Sequence, residues 1–416
     1  MKTDAIALFV PFRIIVLPLL LILSVPARTQ QILKGKVVDG QTQAPIAYAH
    51  IFLLQEQRTG VFSNETGHFQ IGFEAFSDSD TLVVSQIGYQ TAFIPVREAG
   101  DQLDVQLEAT SYQLSQVTVL SDQALSDLVR RAIEKIPDNY GAEAYTLGGY
   151  YQEYTITDDA YTELMEAFVH IQDAAYTSPR QESVIKLEAL RKSDDQRNGM
   201  VYFQENKSNQ IIDLYEDYNH VRARFFHPIG GQGEKQLLKN FDFYNLGEYV
   251  ENGDTLIRIG FEKAGKKSSD QDRSFSRGEM VICKSDLGIT RITRDAANYG
   301  IYHESSYQKI AGKYYPQKIV TRLNNLHVGK SEHTHINSRQ LFIYGILPPG
   351  HADQGELLEK KNNLHQSSLA YDETFWKNNA ILQPVPAESV MKMDMERSRS
   401  LEEQFRANAT RTKGKK

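Results

Sequence analysis

The sequence is poor in cysteine and tryptophan, with one of each, Cys283 and Trp376. A single cysteine cannot close an intramolecular disulfide. That sets the chain apart from small extracellular domains stapled by disulfides and fits a bacterial periplasmic address. Cys283 lies in the apolar run Met280–Cys283, where a buried bystander thiol is the expected role. Positive charge is also in deficit: the formal net charge is −7. A net-negative surface argues against nucleic acid or an anionic membrane as a general partner.

Signatures of catalysis are missing too. There is no Gly-x-Ser-x-Gly elbow, no P-loop and no His-Glu-x-x-His; His303-Glu304 lacks the second histidine. A zinc carboxypeptidase needs His and Glu three apart with a distant His. The nearest approximation is His170-Ile171-Gln172-Asp173, where strand alternation puts the two ligand types on opposite faces. Gly230-Gly231-Gln232-Gly233 reads as a flexible turn, and Asp78-Ser79-Asp80 as a polar hairpin tip without a full calcium loop. Glu163, Glu166, Asp213, Glu216 and Asp217 are abundant carboxylates that spacing alone assembles into no acid/base pair. No catalytic residue and no cofactor is therefore assigned.

One long apolar stretch is present. Lys2 and Arg13 precede Ile14–Val25, and Val25-Pro26-Ala27 offers small residues for cleavage, the layout of a secretory signal peptide. Its apolar core is short for a membrane span, and Pro11 and Pro18 make the alternative, an uncleaved N-terminal anchor, less attractive than cleavage near Ala27. With residues 1–27 removed the net charge becomes about −8, and no membrane span is expected in the mature chain. Export to the periplasm or the outer membrane's inner face follows.

Tyr (22) and Phe (19) are plentiful, which favours half-buried sheets over helical bundles. From Ile32 to Val119 short strands alternate with turns: Ile32–Val38, Tyr48–Leu54, Gly60–Ser63, Phe69–Phe73, Thr81–Ser85, Tyr89–Val96 and Leu103–Leu107. Strands spaced about ten residues apart predict an antiparallel sandwich. Asp39-Gly40 turns the first strand, and Asn64 and Gly67 suit left-handed backbone. Ser121 caps an expected helix in which Leu125, Leu128, Val129, Ala132, Ile133 and Ile136 recur at helical spacing before Pro137. Longer strands follow at Tyr145–Ile156, Leu164–Ile171, Thr255–Phe261, Arg277–Ile282, Gly288–Arg294, Ile301–Ile310, Tyr314–Leu323 and His333–Tyr344. They predict a large curved antiparallel meander with the helix across its concave face. The stretch Asp194–Asn240 reads as polar and irregular. In the tail, Phe375, Trp376, Ile381 and Leu382 form an apolar knot that docks on the sheet, and Ala387–Ala407 carries a helical stripe of Val390, Met393, Leu401 and Phe405.

These segments order the chain as signal peptide (1–27), sandwich (28–119), linker helix (120–140), antiparallel sheet domain (141–350) and an extended and helical tail (351–416). The class is mainly β. On the expected last strand, His333 and His335 share a face and could bind one metal with a third ligand such as Glu332 or His327. The commoner role for such a pair is a polar strand start, and no metal is assigned.

Within the first unit, Lys34-Gly35-Lys36-Val37-Val38-Asp39, Ala44-Pro45-Ile46-Ala47-Tyr48-Ala49-His50-Ile51, Glu65-Thr66-Gly67-His68-Phe69 and Ser85-Gln86-Ile87-Gly88-Tyr89 form a pattern. It resembles the carboxypeptidase regulatory-like domain, a transthyretin-like seven-stranded sandwich of Gram-negative envelope proteins and TonB-dependent receptors. The resemblance implies a non-catalytic adaptor with an envelope protein or glycan as partner. Phe375-Trp376-Lys377-Asn378, Ile381-Leu382 and Leu401-Glu402-Glu403-Gln404-Phe405 look like the closing segment of a longer family in which this sandwich precedes an uncharacterised sheet domain. Ile310-Ala311-Gly312-Lys313-Tyr314-Tyr315-Pro316 is similar to a hairpin of lipoprotein-carrier-like half-barrels, which implies an apolar ligand as the alternative to scaffolding. A hydrolase with a dispersed site is the remaining alternative.

Overall fold

The computed structural model describes residues 31–54, 60–73 (less 65), 77–98 (less 78 and 87), 102–110, 121–176, 183–197, 209–222, 238, 241–263, 277–296, 300–324, 333–347, 355–379 (less 368) and 388–411. Seven strands form the first unit: β1 (Gln31–Asp39), β2 (His50–Leu53), β3 (Gly60–Phe62), β4 (His68–Phe73), β5 (Thr81–Ser85), β6 (Ala92–Pro95) and β7 (Gln102–Leu107). They make two sheets, β4-β1-β7 and β3-β2-β5-β6. Leu33, Val37, Phe69 and Val105 of the first meet Ile51, Leu53, Val61, Leu82 and Val84 of the second in one buried core.

The sandwich is not wholly antiparallel, because β7 pairs with β1 in parallel. β7 arrives from the other sheet, so no tight hairpin dictates its direction. At the first turn, Asp39 Oδ1 accepts from the Gln41 and Thr42 amides at 2.9 and 2.7 Å. Gly67 is left-handed (φ +80°), and a Cβ there would lie 2.4 Å from the Val37 carbonyl. Asn64 is not left-handed, contrary to expectation. Its Oδ1 instead accepts from the Thr66 and His68 amides at 3.0 and 2.8 Å. Among the described residues of this unit, the left-handed non-glycine ones are Gln43 and Tyr48.

The second unit is one open sheet built from β8 (Tyr145–Thr157), β9 (Ala160–Asp173), β10 (Val184–Lys192), β11 (Phe241–Glu251), β12 (Asp254–Lys263), β13 (Arg277–Cys283), β14 (Ile289–Ala296), β15 (Ile301–Ile310), β16 (Lys313–Asn324), β17 (His335–Leu347) and β18 (Glu356–Leu357). Its order is β11-β12-β13-β14-β15-β16-β17-β8-β9-β10-β18. The meander from β11 to β17 is joined to β8–β10 by the long β17–β8 pairing. β10 and β11 are strands where none was expected.

Cross-strand register defines two faces. Ile259, Met280, Ile292, Ser305, Ile319, Leu341, Tyr151, Ala167 and Leu190 follow one another across nine strands. Apart from Ser305 this row belongs to the two largest apolar cores. Helix α1 (Asp122–Glu134), capped by Ser121 and followed by α2 (Ile136–Asn139), covers the β11–β16 half with Leu125, Val129, Ala132 and Ile133. Helix α3 (Gln210–Asp217) lies in the stretch expected to be irregular. Asn209 caps it, and Ile211, Ile212, Leu214 and Tyr215 cover the other half.

The sandwich and the tail pack on the opposite face. Phe342 meets Tyr48 and Phe62 at ring-centroid distances of 5.5 and 5.0 Å. Helix α4 (Glu373–Asn378) docks Trp376 beneath the Arg191 guanidinium, 4.2 Å from the ring centroid. The last expected helix is two, α5 (Glu388–Met395) and α6 (Leu401–Arg411). Between them Ser400 and Glu403 cap each other, the Ser400 amide donating to Glu403 Oε2 at 2.9 Å and the Glu403 amide to Ser400 Oγ at 3.3 Å. This break rephases the stripe: Met391, Met395, Leu401 and Phe405 are buried, while Val390 and Met393 are exposed.

Candidate functional site

Strand β2 has apolar residues on both faces. Ile51 and Leu53 point into the sandwich core, so period-2 alternation sends His50 and Phe52 outward, towards the large sheet. There the His50 ring is stacked between Phe52 and Phe62, with both centroids at 4.8 Å. Gly60 leaves the room: a Cβ on it would stand 2.5 Å from His50 Nε2. His50 is 3% exposed, and neither ring nitrogen has a hydrogen-bond partner. Burial drives its pKa down to about 3, so the imidazole is neutral at physiological pH.

His50 borders a cleft of about 370 Å³ between the sandwich and the β12–β16 region of the sheet. Phe52, Thr91 and Phe93 line it from the sandwich; Glu251, Asn252 and Gln308 line it from the sheet. Thr91 Oγ1 is a second buried polar atom without a partner. Burial raises the Glu251 carboxyl to about 7. Phe93 is 55% exposed. Through Thr91, Phe93 and Asn252 the cleft continues into a trough of about 700 Å³ beside β11. Charged groups at the rim have partners, Lys309 with Asp286 at 2.6 Å and Lys284 with Glu248 at 2.9 Å. A smaller hollow of about 240 Å³ beside Tyr48 holds Glu304, which ion-pairs Lys318 at 3.2 Å and Arg291 at 3.4 Å.

The face beneath the helices is different. Ile257, Ile259, Met280, Ile282, Ile289 and Ile292 are all fully buried there against α1.

The residues weighed from sequence are placed apart from this cleft, except Cys283. His333 and His335 have ring centroids 6.4 Å apart. His333 pairs with Asp158 at 2.5 Å and His335 with the Thr157 hydroxyl at 2.9 Å. Glu332 and His327 lie outside the described residues, and no group of three metal-ligating side chains occurs among the described ones. His170 pairs with Glu188 at 3.1 Å, while Asp173, on the other face, binds Arg222 at 2.8 Å. Glu166 is tied to Arg191 and Tyr150, Glu163 to Arg197, and Glu216 to Lys360. Asp213 and Asp217 belong to α3. Cys283 is buried, its Sγ 3.1 Å from Ser285 Oγ, and it borders the cleft. Asp80 accepts from the Ser77 amide at 2.8 Å; Asp78, Ile381, Leu382 and residues 230–233 lie outside the described residues.

Sequence reasoning missed His50, Thr91, Phe93 and Glu251. One signal was available: a strand apolar on both faces is covered on both faces, which marks His50 and Phe52 as facing a second layer.

The geometry defines a two-unit β protein, a small sandwich laid on the outer face of a helix-backed sheet. Residues 33–119, which span the first unit, match the family model described as CarboxypepD_reg-like domain. Solved structures similar to the chain include a putative outer membrane lipoprotein-sorting protein domain from Vibrio parahaemolyticus, with 7% identity, TM-score 0.26, and coverage of 63% of this chain and 100% of that one. A LolA superfamily protein from Nitrosomonas europaea has 9% identity, TM-score 0.21 and coverage of 54% and 95%. A DUF1329 family protein from Desulfovibrio piger has 9% identity, TM-score 0.22 and coverage of 56% and 96%. No curated protein matches.

Proposed function

We propose that the chain is an exported, non-catalytic binding protein of the cell envelope, and that it takes its ligand in the cleft between sandwich and sheet. The observation that carries this is the pair of buried, unpartnered polar groups, His50 and Thr91, at the wall of an open space. Buried polar atoms normally find partners, and where an exception borders an open space a water or ligand has room to complete the bonding. The family match of residues 33–119 supports an adaptor role, and the apolar stretch Ile14–Val25 supports export. The carboxylates noted from sequence support a structural role better than an acid/base one, since Glu163, Glu166 and Glu216 are committed to cations. Beneath α1 and α3, where an apolar carrier would hold its ligand, the described side chains pack into two apolar cores, which supports this reading over a carrier.

The test combines fractionation with binding. The protein should be recovered from envelope fractions, and extracts of those fractions should perturb the His50 ring nitrogens in NMR spectra of the full chain. Recovery confined to the cytosol, or spectra in which His50 never responds, would overturn the proposal.

A further inference from the structure

The chemistry of the cleft specifies a ligand class, resting on the assignment of the cleft as the binding site. A charged ligand requires an uncommitted opposite charge. At this site Lys309 and Lys284 are held by Asp286 and Glu248, and Asp254 accepts from Ser285 Oγ at 2.8 Å. Apart from the Asp254 carboxylate, which would repel an anion, the other groups turned to the space carry no fixed charge. His50 offers one ring donor and one ring acceptor, Thr91 offers a hydroxyl, and Asn252 and Gln308 offer amides. Glu251, with its carboxyl raised to about 7 by burial, is substantially protonated near neutrality and adds a further donor.

A set of mixed neutral donors and acceptors matches a ligand whose every edge carries both, as hydroxyl-rich ligands do. Next to it stands an aromatic surface: Phe93 is 55% exposed at the junction of cleft and trough. An exposed phenyl ring beside neutral polar groups gives the C–H face of a sugar ring an apolar plane while its hydroxyls bond around the edge. A volume of about 370 Å³ falls within the ~300–1,000 Å³ typical of small-ligand sites, and the adjoining trough extends the site along β11.

A peptide is less well served. Strand addition needs a sheet edge with free amides, and the neighbouring edge strand β6 ends in Pro95, which has none. We propose that the cleft binds a neutral saccharide, its ring against Phe93 and its hydroxyls bonded to His50, Thr91 and Asn252.

The experiment uses the full chain against an array of neutral hexose and N-acetylhexosamine oligomers of two to seven units, with polygalacturonate and an unstructured peptide library as comparators. Binding of a neutral oligomer, accompanied by shifts of the His50 ring nitrogens, is expected. Phe93→Ala, at an exposed position, should weaken binding at least tenfold, and Thr91→Val several-fold, with thermal unfolding of Phe93→Ala unchanged. If no neutral oligomer binds, or if Phe93→Ala binds as the wild type does, the saccharide assignment is overturned. Shifts of His50 with peptide or polygalacturonate alone would refute the ligand class and leave the cleft standing. Saccharide binding without any response at His50 would refute the cleft itself.

Discussion

Burying a histidine with no partner makes folding sensitive to acid, and the size of that effect at His50 is calculable. Its pKa falls from an ordinary 6.5 to about 3 because burial penalises the imidazolium. Below pH 6.5 the unfolded chain takes up a proton that the folded chain refuses. Stability from this residue is therefore complete above about pH 6.5 and is lost as pH falls towards 3. Full protonation of the unfolded residue corresponds to several kcal/mol, and between pH 7.5 and 4.5 the loss is roughly 2–3 kcal/mol. His50→Phe removes the titration and keeps an aromatic ring between Phe52 and Phe62. It also removes two unpartnered nitrogens, so the variant should be at least as stable as wild type at pH 7.5. Urea unfolding at the two pH values measures both proteins. The wild type should lose roughly 2–3 kcal/mol more than the variant across that interval. Glu251, raised to about 7, works in the opposite direction but is present in both proteins and cancels. An equal pH dependence in the two would show that His50 is solvated or hydrogen-bonded, and the cleft assignment would lose its main support.

Three further outcomes are expected. Burial alone would raise the Glu153 carboxyl, but the Arg339 charge and hydrogen bonds from Tyr151 and Asn337 bring it down to about 2; Arg339→Met should cost roughly 3–5 kcal/mol by stranding that carboxylate, read from urea midpoints at pH 7. The same low pKa gives stability that is present above pH 4.5 and lost between there and about pH 2, a loss absent from a Glu153→Gln, Arg339→Met double variant. Trp376→Ala removes a ring packed between Phe168 and Arg191; it should cost about 3–5 kcal/mol and make the tail after β18 the first site cut in limited proteolysis.

The sandwich was legible because its strands are short, alternate cleanly and are separated by turn residues whose backbone needs are local. The hairpin at Ala311-Gly312 was legible for the same reason, both residues being left-handed. What escaped notice was decided at long range. Strand β10, with Leu187, Glu188, Ala189 and Leu190, is made of helix formers, and its pairing with β9 overrides them. In β11 a bulge between Asn245 and Gly247 breaks the alternation a reader looks for. Helix α3 has only eight residues and carries adjacent β-branched isoleucines, so only Asn209 announces it. The cleft was illegible because it belongs to neither unit: β2 and the β11–β12 turn are some two hundred residues apart, and no spacing rule relates them.

That separation bears on what the sandwich contributes. Tyr48, left-handed at φ +59°, stacks on Phe342 and accepts from Gln340 Nε2 at 3.2 Å. A bulky residue takes that backbone only when surrounding contacts compensate, and here the compensating contacts come from the other unit. Beside this tight seam the two units stand apart far enough to leave the cleft. The helix-backed face, filled with aliphatic side chains, gives the sheet a fixed shape against which the sandwich is positioned. A ligand in the cleft touches both units at once, so it must favour their docked arrangement over any in which they separate, by as much as its affinities for the two differ. Under the proposed binding role the sandwich is half of a site whose other half is the sheet, and neither half alone presents His50 and Asn252 to the same molecule.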